Sequence, residues 1–415
     1  MSKKKIKLLS PAGSFECLQA AINAGADAIY FGVEQLNMRA RSVNSFSVND
    51  IKQIAGVCKA NKIASYITLN TVMYEHDMQL LRTILQEVKK QHIDAVIASD
   101  FAVIEYCNQL NIPLHISTQT NVSNIESVQF FSRFADVIVL ARELTLKQVE
   151  YISKEIKRKK IKGICGELLK IEVFIHGALC MAISGKCYLS LHSQNASANR
   201  GACVQNCRRP YIVKDAETNE ELLIENEYIM SPKDLCTIDI LDQLVNSGAD
   251  VLKIEGRSKG ADYVYTVTKC YREALLALEE GSYTTNKIEQ WKKELATVYN
   301  RGFWEGYYLG RRLGEWTSHP ASAASEKKIY IGKGSKYYPK INVAEFIIDS
   351  DTLKAGDTLM ITGPAVGVAK EKMETLTVNG LKSNMAVKGD KITFPFHTKI
   401  THQDKLYKIV ETVNA

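Results

Sequence analysis

The chain has 415 residues, 46% hydrophobic and 24% charged, with 53 Lys and Arg against 46 Asp and Glu; this balance excludes a disordered chain and points to two well-cored domains. No apolar run approaches about 18 residues, and the apolar stretch in MSKKKIKLLSPAG is shorter than a signal-peptide core, so a cytoplasmic protein with no membrane span is expected. Ten cysteines in that setting are expected as thiols and not as a disulfide framework.

Short apolar runs then alternate with amphipathic stretches along the chain. KIKLLSP at Lys5, AGADAIYFG at Ala24, IASYITLNT at Ile63 and IDAVIASD at Ile93 read as strands. PLHISTQTN at Pro113, ADVIVLARE at Ala135, KIEVFIHG at Lys170 and GADVLKIEG at Gly248 continue the series. In four of the eight an Asp precedes the aliphatic run, the pattern of a strand buried on both faces and entered from a helix end. Helical periodicity between them, as in MQLLRTILQEVKK and TLKQVEYISKEIKRKK, predicts an eight-fold (β/α)8 TIM-like barrel over 1–316, with a doubly wound open sheet as the alternative.

The alternation breaks after KIEVFIHG, where an insert of about 178–230 is rich in Cys, Ser, Asn, Arg and Gly. An ordinary connection is far shorter, and in a barrel this one leaves the catalytic face. LCTIDILDQLVNSG reads as the next helix, which places Cys236 at a helix start in the core. The segment ELATVYNRGFWEGYYLGRRLGEW, ending at Trp316, is a junction suited either to packing between domains or to RNA contact. Beyond it, 325–415 carries short β-rich runs such as KKIYIGKG, NVAEFIID and AGDTLMITG, expected to form a small separate β-barrel or sandwich.

The insert holds Cys180, Cys187, Cys203 and Cys207, with six, fifteen and three residues between them. Four thiolates can close a zinc site or an iron–sulfur cluster; only the last pair has a zinc-like spacing, and sulfur ligation suits a soft metal. His176 with Cys180 could instead form a base and nucleophile, and buried cysteines can be plain small hydrophobes.

The strand ends would gather Ser10, Asn70, Asp100, Gln119, Asn121, Arg142, Glu143, His176, Glu255 and Arg257 at one mouth, joined by Arg39 and Arg41. We expect His176, Arg142, Glu255 and Arg257 to be catalytic, with Arg39, Asn70, Gln119, Asn121, Glu143 and Lys253 contacting substrate. Arginines in that number suit a carboxylated small molecule. The net charge of +7 suits a polyanion such as RNA.

LSPAGSFECLQAAINAGADAIYFG, HISTQTN, LARELTL, EVFIHGALCMAISGKCYLS, NRGACVQNCRRPY, SPKDL and LKIEGR together resemble the collagenase-like peptidase family U32 over residues 7 to about 316. The overall pattern is most similar to members that hydroxylate bacterial tRNA. That resemblance implies formation of 5-hydroxyuridine at the wobble position without molecular oxygen, tRNA as partner, and prephenate, a small dicarboxylate, as hydroxyl donor. Relatives in ubiquinone synthesis imply a 4Fe-4S cluster on Cys180, Cys187, Cys203 and Cys207, with Cys236 as a substitute for Cys207. The family label carries a rival, a collagenase-like peptidase; a second rival is an RNA-binding scaffold with a structural cluster.

Overall fold

The structure is a computed structural model that describes residues 6–40, 46–212, 214, 217–218, 230–310, 314–318 and 322–412. Arg41 and parts of the insert (213, 215–216 and 219–229) lie outside the described residues.

All eight predicted barrel strands form: β1 (Lys7–Pro11), β2 (Ala28–Phe31), β3 (Ala64–Leu69), β4 (Ala95–Ala98), β5 (Leu114–Ile116), β6 (Val137–Val139), β7 (Lys170–Gly177) and, after a short β8 (Asp234–Cys236), β9 (Val251–Ile254). Each pairs in parallel with the next, β7 pairs with β9, and β9 returns to β1. The sheet therefore closes into a barrel, and the open doubly wound alternative falls away. Helices α1 (Phe15–Asn23), α2 (Asp50–Ala60), α3 (Met78–Lys90), α4 (Phe101–Gln109), α5 (Ile125–Phe131) and α6 (Leu146–Lys159) follow the first six strands. The insert carries α7 (Leu189–Gln194), and α8 (Leu241–Asn246), α9 (Ala261–Glu280) and α10 (Thr285–Ala296) complete the set.

The recurrent Asp has a structural role. Asp27 accepts the backbone N–H of Leu8 at 2.8 Å, Asp94 that of Ser65 at 2.8 Å, and Asp250 that of Ile171 at 2.9 Å. Asp136 accepts from Cys165 in the loop before β7. Three of these carboxylates thus hold the first residues of the adjacent strand, where N–H donors would otherwise lack partners and a slip of register could start.

Along the strands, alternate residues face the helices or the barrel axis. Ile29 and Phe31 join the outer layer, whereas Leu9, Ala28, Tyr30, Tyr66 and Ile97 fill the interior. Two predicted elements differ. The Cys236 segment is a strand that pairs antiparallel with the end of β7, and the following helix begins only at Leu241. The aromatic junction packs on this added strand: β10 (Phe303–Trp304) pairs with β8, and the Trp304 indole donates to the Lys233 carbonyl at 3.1 Å.

The C-terminal part is an antiparallel eight-stranded sheet built on the long strand β11 (Glu326–Tyr338), with Phe346 and Phe394 stacked in its own core. A separate two-stranded ribbon accompanies it, and among the described residues the two outer strands of the eight-stranded sheet are not hydrogen-bonded to each other. It rests on α1 and α9: Asn23 donates to the Val366 carbonyl at 2.9 Å, and Lys328 pairs with Asp262 at 2.7 Å.

Candidate functional site

A cavity of about 100 Å³ opens at the carboxyl ends of the barrel strands. Its wall includes Arg39, Asn70, Gln119, Arg142, Lys253, Glu255 and Arg257 from the strand ends and the loops that follow them, and Cys180, Cys187 and Cys203 from the insert. These residues come from distant parts of the sequence, and the closed barrel brings them to one place.

The polar groups are tightly interlocked. Lys253, only 4% exposed, donates to Glu172 Oε1 at 2.7 Å, and Glu172 is fully buried. His115 Nδ1 stands 3.7 Å from the other Glu172 oxygen, beyond hydrogen-bond reach. Burial works to raise the Glu172 carboxyl, but Lys253 and His115 outweigh it and hold it below the usual carboxylate range. Lys253 Nζ lies 4.6 Å from the centre of the Tyr30 ring, and burial lowers this ammonium despite Glu172.

Higher in the cavity, Arg39 donates to Glu255 Oε1 at 2.7 Å. Burial opposes ionisation of Glu255, yet Arg39, Arg142 and Lys259 keep it below the usual range. Arg257 donates to Thr68 Oγ1 at 2.7 Å, with burial lowering its guanidinium to about 10. A Cβ at Gly32 would collide with that guanidinium and with the Asn37 amide, so a larger residue here would displace both side chains. Arg142 donates to the Ala178 carbonyl at 2.9 Å and lies over the Phe174 ring at 3.8 Å, while its buried Nε finds no hydrogen-bond partner among the described residues. Four cations therefore face two carboxylates, and the excess charge suits an anion carrying two negative groups. Asn70 donates to Gln119 at 3.1 Å and accepts from the Met38 backbone, which fixes both amides.

Not every expected residue reaches this cavity. Asn121 and Glu143 line a smaller adjoining recess, with Arg142 and Cys180 between the two. His176 does not line it, contrary to expectation. The pairing of β7 with β9 slips between Phe174 and His176, and such a bulge reverses the strict alternation that would have put His176 on the face of Glu172 and Phe174. The imidazole is 1% exposed, packed among Tyr263, Tyr271 and Phe303, and burial depresses its pKa to about 3. Ser10 likewise bonds Thr268 on α9, and Asp100 caps α4 by accepting the Ala102 N–H.

The insert's thiols belong to one neighbourhood. Cys180 and Cys203 are exposed, and Cys187 and Cys207 are half-buried. Cys180, Cys187 and Cys203 share one cavity wall, and burial pushes the Cys207 thiol up, with Arg208 opposing this and the other three thiols pushing it further. Cys236 lies elsewhere, buried behind the barrel wall with its sulfur accepting from the Tyr271 hydroxyl at 3.8 Å. The Gln205 N–H points at the Cys203 sulfur at 3.4 Å. Four thiols, one already receiving a backbone donor, are a donor set that fits a soft metal or an iron–sulfur centre. Among the described residues no three His, Cys, Asp or Glu are gathered closely enough to ligate one ion. A cluster makes a looser demand, because each thiolate bonds a different iron atom.

Two arginines fasten the insert. Arg208 donates to Ser231 Oγ at 3.1 Å, to the Pro232 carbonyl at 2.9 Å, and to the carbonyl of Leu179 beside Cys180. Arg200 pairs with Asp77 and donates to the Val72 carbonyl at 2.7 Å. Sequence reading missed Arg208, Glu172, His115 and Tyr30. Glu172 did carry a signal, a lone acid inside the apolar run KIEVFIHG.

The chain matches the description "Peptidase family U32" over residues 13–318. It is 51% identical over 408 residues to a protein of Porphyromonas gingivalis named "Collagenase", covering 98% of this chain and 99% of that one. It is 33% identical over 318 residues to "tRNA hydroxylation protein P" of Helicobacter pylori, covering 74% and 72%. With the 23S rRNA 5-hydroxycytidine synthase of Escherichia coli it shares 34% identity over 284 residues, 68% of this chain but 41% of that longer protein.

Proposed function

Because the chain belongs to peptidase family U32, we propose that it is an enzyme of RNA hydroxylation, which forms 5-hydroxyuridine at the wobble position of tRNA. Cys180, Cys187, Cys203 and Cys207 would hold a 4Fe-4S cluster, and the cavity would bind a small dicarboxylate, prephenate, as hydroxyl donor. The observation that carries this reading is the composition of one cavity wall: three insert thiols, and four cations with a single carboxylate, Glu255, among them, while Glu172 pairs with Lys253 from behind the wall. A relative named for tRNA hydroxylation and another named for rRNA hydroxycytidine supply the substrate class.

In this reading Arg257 and Lys253 receive one carboxylate at the buried end, and Arg39 and Arg142 receive the other nearer the mouth. Glu255 is kept ionised by Arg39 and is placed to accept a proton from the reacting partners. Asn70 and Gln119, fixed by their mutual hydrogen bond, offer amide groups for orientation. A bound cluster would supply redox-active iron beside this pocket. Among the described residues no helix is long and apolar enough to cross a membrane, and a cytoplasmic location goes with tRNA as partner.

The name of the 51% identical relative favours a second reading, peptidase activity. A Cys180–His176 dyad finds no support, because Cys180 lines the cavity while His176 is buried among aromatic rings outside it. Mass spectrometry of wobble uridine in cells lacking the gene and any paralogue separates the two. Loss of 5-hydroxyuridine, restored by the wild-type gene, is the expected result; unchanged hydroxylation, with gelatin cleavage by the purified protein that survives Cys180→Ala, favours the peptidase.

A further inference from the structure

The cavity accounts for the inner side of the insert but not for its outer side. Residues 178–212 contain Lys186, Arg200, Arg208 and Arg209 and no Asp or Glu. On this acid-free segment Tyr188 is 71% exposed and Ile212 85% exposed, although a tyrosine in a well-cored protein normally buries most of its ring. Cys180, Ile183 and Cys187 line the cavity, so the chain turns from the cavity wall to solvent within one residue, between Cys187 and Tyr188. Across the insert's contact with the loop after β3, the Arg200 guanidinium lies 4.4 Å above the ring of Tyr74, which is itself 49% exposed.

An exposed aromatic ring two residues from the exposed Lys186, on a stretch with no acid to repel phosphate, is the chemistry that holds single-stranded nucleic acid. Bases stack on the ring and lysines and arginines track the backbone, whereas a duplex hides its base faces. We infer that the outer face of the insert, centred on Tyr188 and extended by Tyr74, is the surface on which an unpaired RNA loop docks and stacks a base next to the cavity. This rests on the RNA-hydroxylation reading above and adds to it the surface that receives the loop.

The test is equilibrium binding of the full chain, prepared without air, to a labelled RNA stem-loop and to a blunt RNA duplex of equal length. The wild type is expected to prefer the stem-loop. Tyr188→Ala should weaken stem-loop binding about tenfold, Tyr188→Phe should keep it, and Tyr74→Ala should weaken it to a smaller degree, with duplex binding unchanged in all three. Circular dichroism and iron content equal to wild type show that a variant is folded; should Tyr188→Ala fail there, Tyr188→Phe and Tyr74→Ala decide. Stem-loop binding that is unaltered by Tyr188→Ala and Tyr74→Ala overturns the inference and leaves the proposed function standing. Absence of binding to either RNA overturns both, and so does tight binding of denatured collagen that depends on Tyr188 in place of RNA.

Discussion

Lys253 and Glu172, from β9 and β7, meet inside the barrel with Nζ 2.7 Å from Oε1, both side chains almost fully withdrawn from solvent. Removing one partner leaves the other charge buried and uncompensated. Lys253→Met should therefore cost about 3–5 kcal/mol in urea unfolding, and the double variant with Glu172→Leu should recover most of that loss. Glu172 is held below its ordinary 4.5 in the fold. Its contribution is fully present above that value and is lost as pH falls through the lower folded value, so the wild type should weaken below about pH 4.5 by a component that Glu172→Gln lacks.

His176 gives a prediction with a different pH window. Burial keeps it neutral down to about 3, against 6.5 for an ordinary histidine. The unfolded chain takes up a proton below about pH 6.5 and the folded one does not. Stability should thus fall by up to about 1.4 kcal/mol per pH unit between 6.5 and about 3 from this group alone. His176→Phe should flatten that slope and leave the pH profile of hydroxylation unchanged; a shifted activity profile would return His176 to the reacting groups.

Arg257 tests the anion site. Its guanidinium is anchored on Thr68 and, among the described residues, pairs with no carboxylate. Arg257→Met should raise KM for the hydroxyl donor about tenfold to hundredfold, the scale of one lost charge-assisted hydrogen bond, while tRNA affinity stays as it was. Equal losses in both affinities would point to a collapsed barrel mouth instead.

Most of the architecture was legible because the barrel repeats. Eight aliphatic runs alternating with helical segments, four introduced by Asp, carry the pattern of buried parallel strands, and those carboxylates do latch strand and loop starts at the barrel's lower rim. The placement of Arg142, Glu255 and Arg257 in one cavity wall followed from strand-end arithmetic, because each lies at or just past a regular strand. It failed at His176, where a single bulge in β7 turns the side chain outward, since nothing in EVFIHG distinguishes a bulged strand from a straight one. The strand Gly367–Lys372 was missed for another reason: its sequence, GVAKEK, has charges where an inner strand would have apolar residues, and it lies at the sheet edge against α1. Arg208 escaped notice because its partners are backbone carbonyls and a serine far along the chain, contacts that composition does not encode.

That arginine yields a further expectation. By bonding the Leu179 carbonyl while adjacent to Cys207, Arg208 sets the separation of two thiols that are distant in sequence. Arg208→Ala should speed iron loss to a chelator about tenfold to hundredfold, with the far-ultraviolet circular dichroism of the barrel preserved. Retention equal to wild type would show that the insert keeps its shape without this clamp.

The measurement that bears most directly on the account is iron and acid-labile sulfide analysis, with an absorption spectrum, on protein purified without air. The account predicts about four iron atoms and about four sulfides per chain and broad visible absorption, all lost in Cys203→Ser and kept in Cys236→Ser. Stoichiometric zinc without sulfide, or a cluster that survives Cys203→Ser, would contradict it.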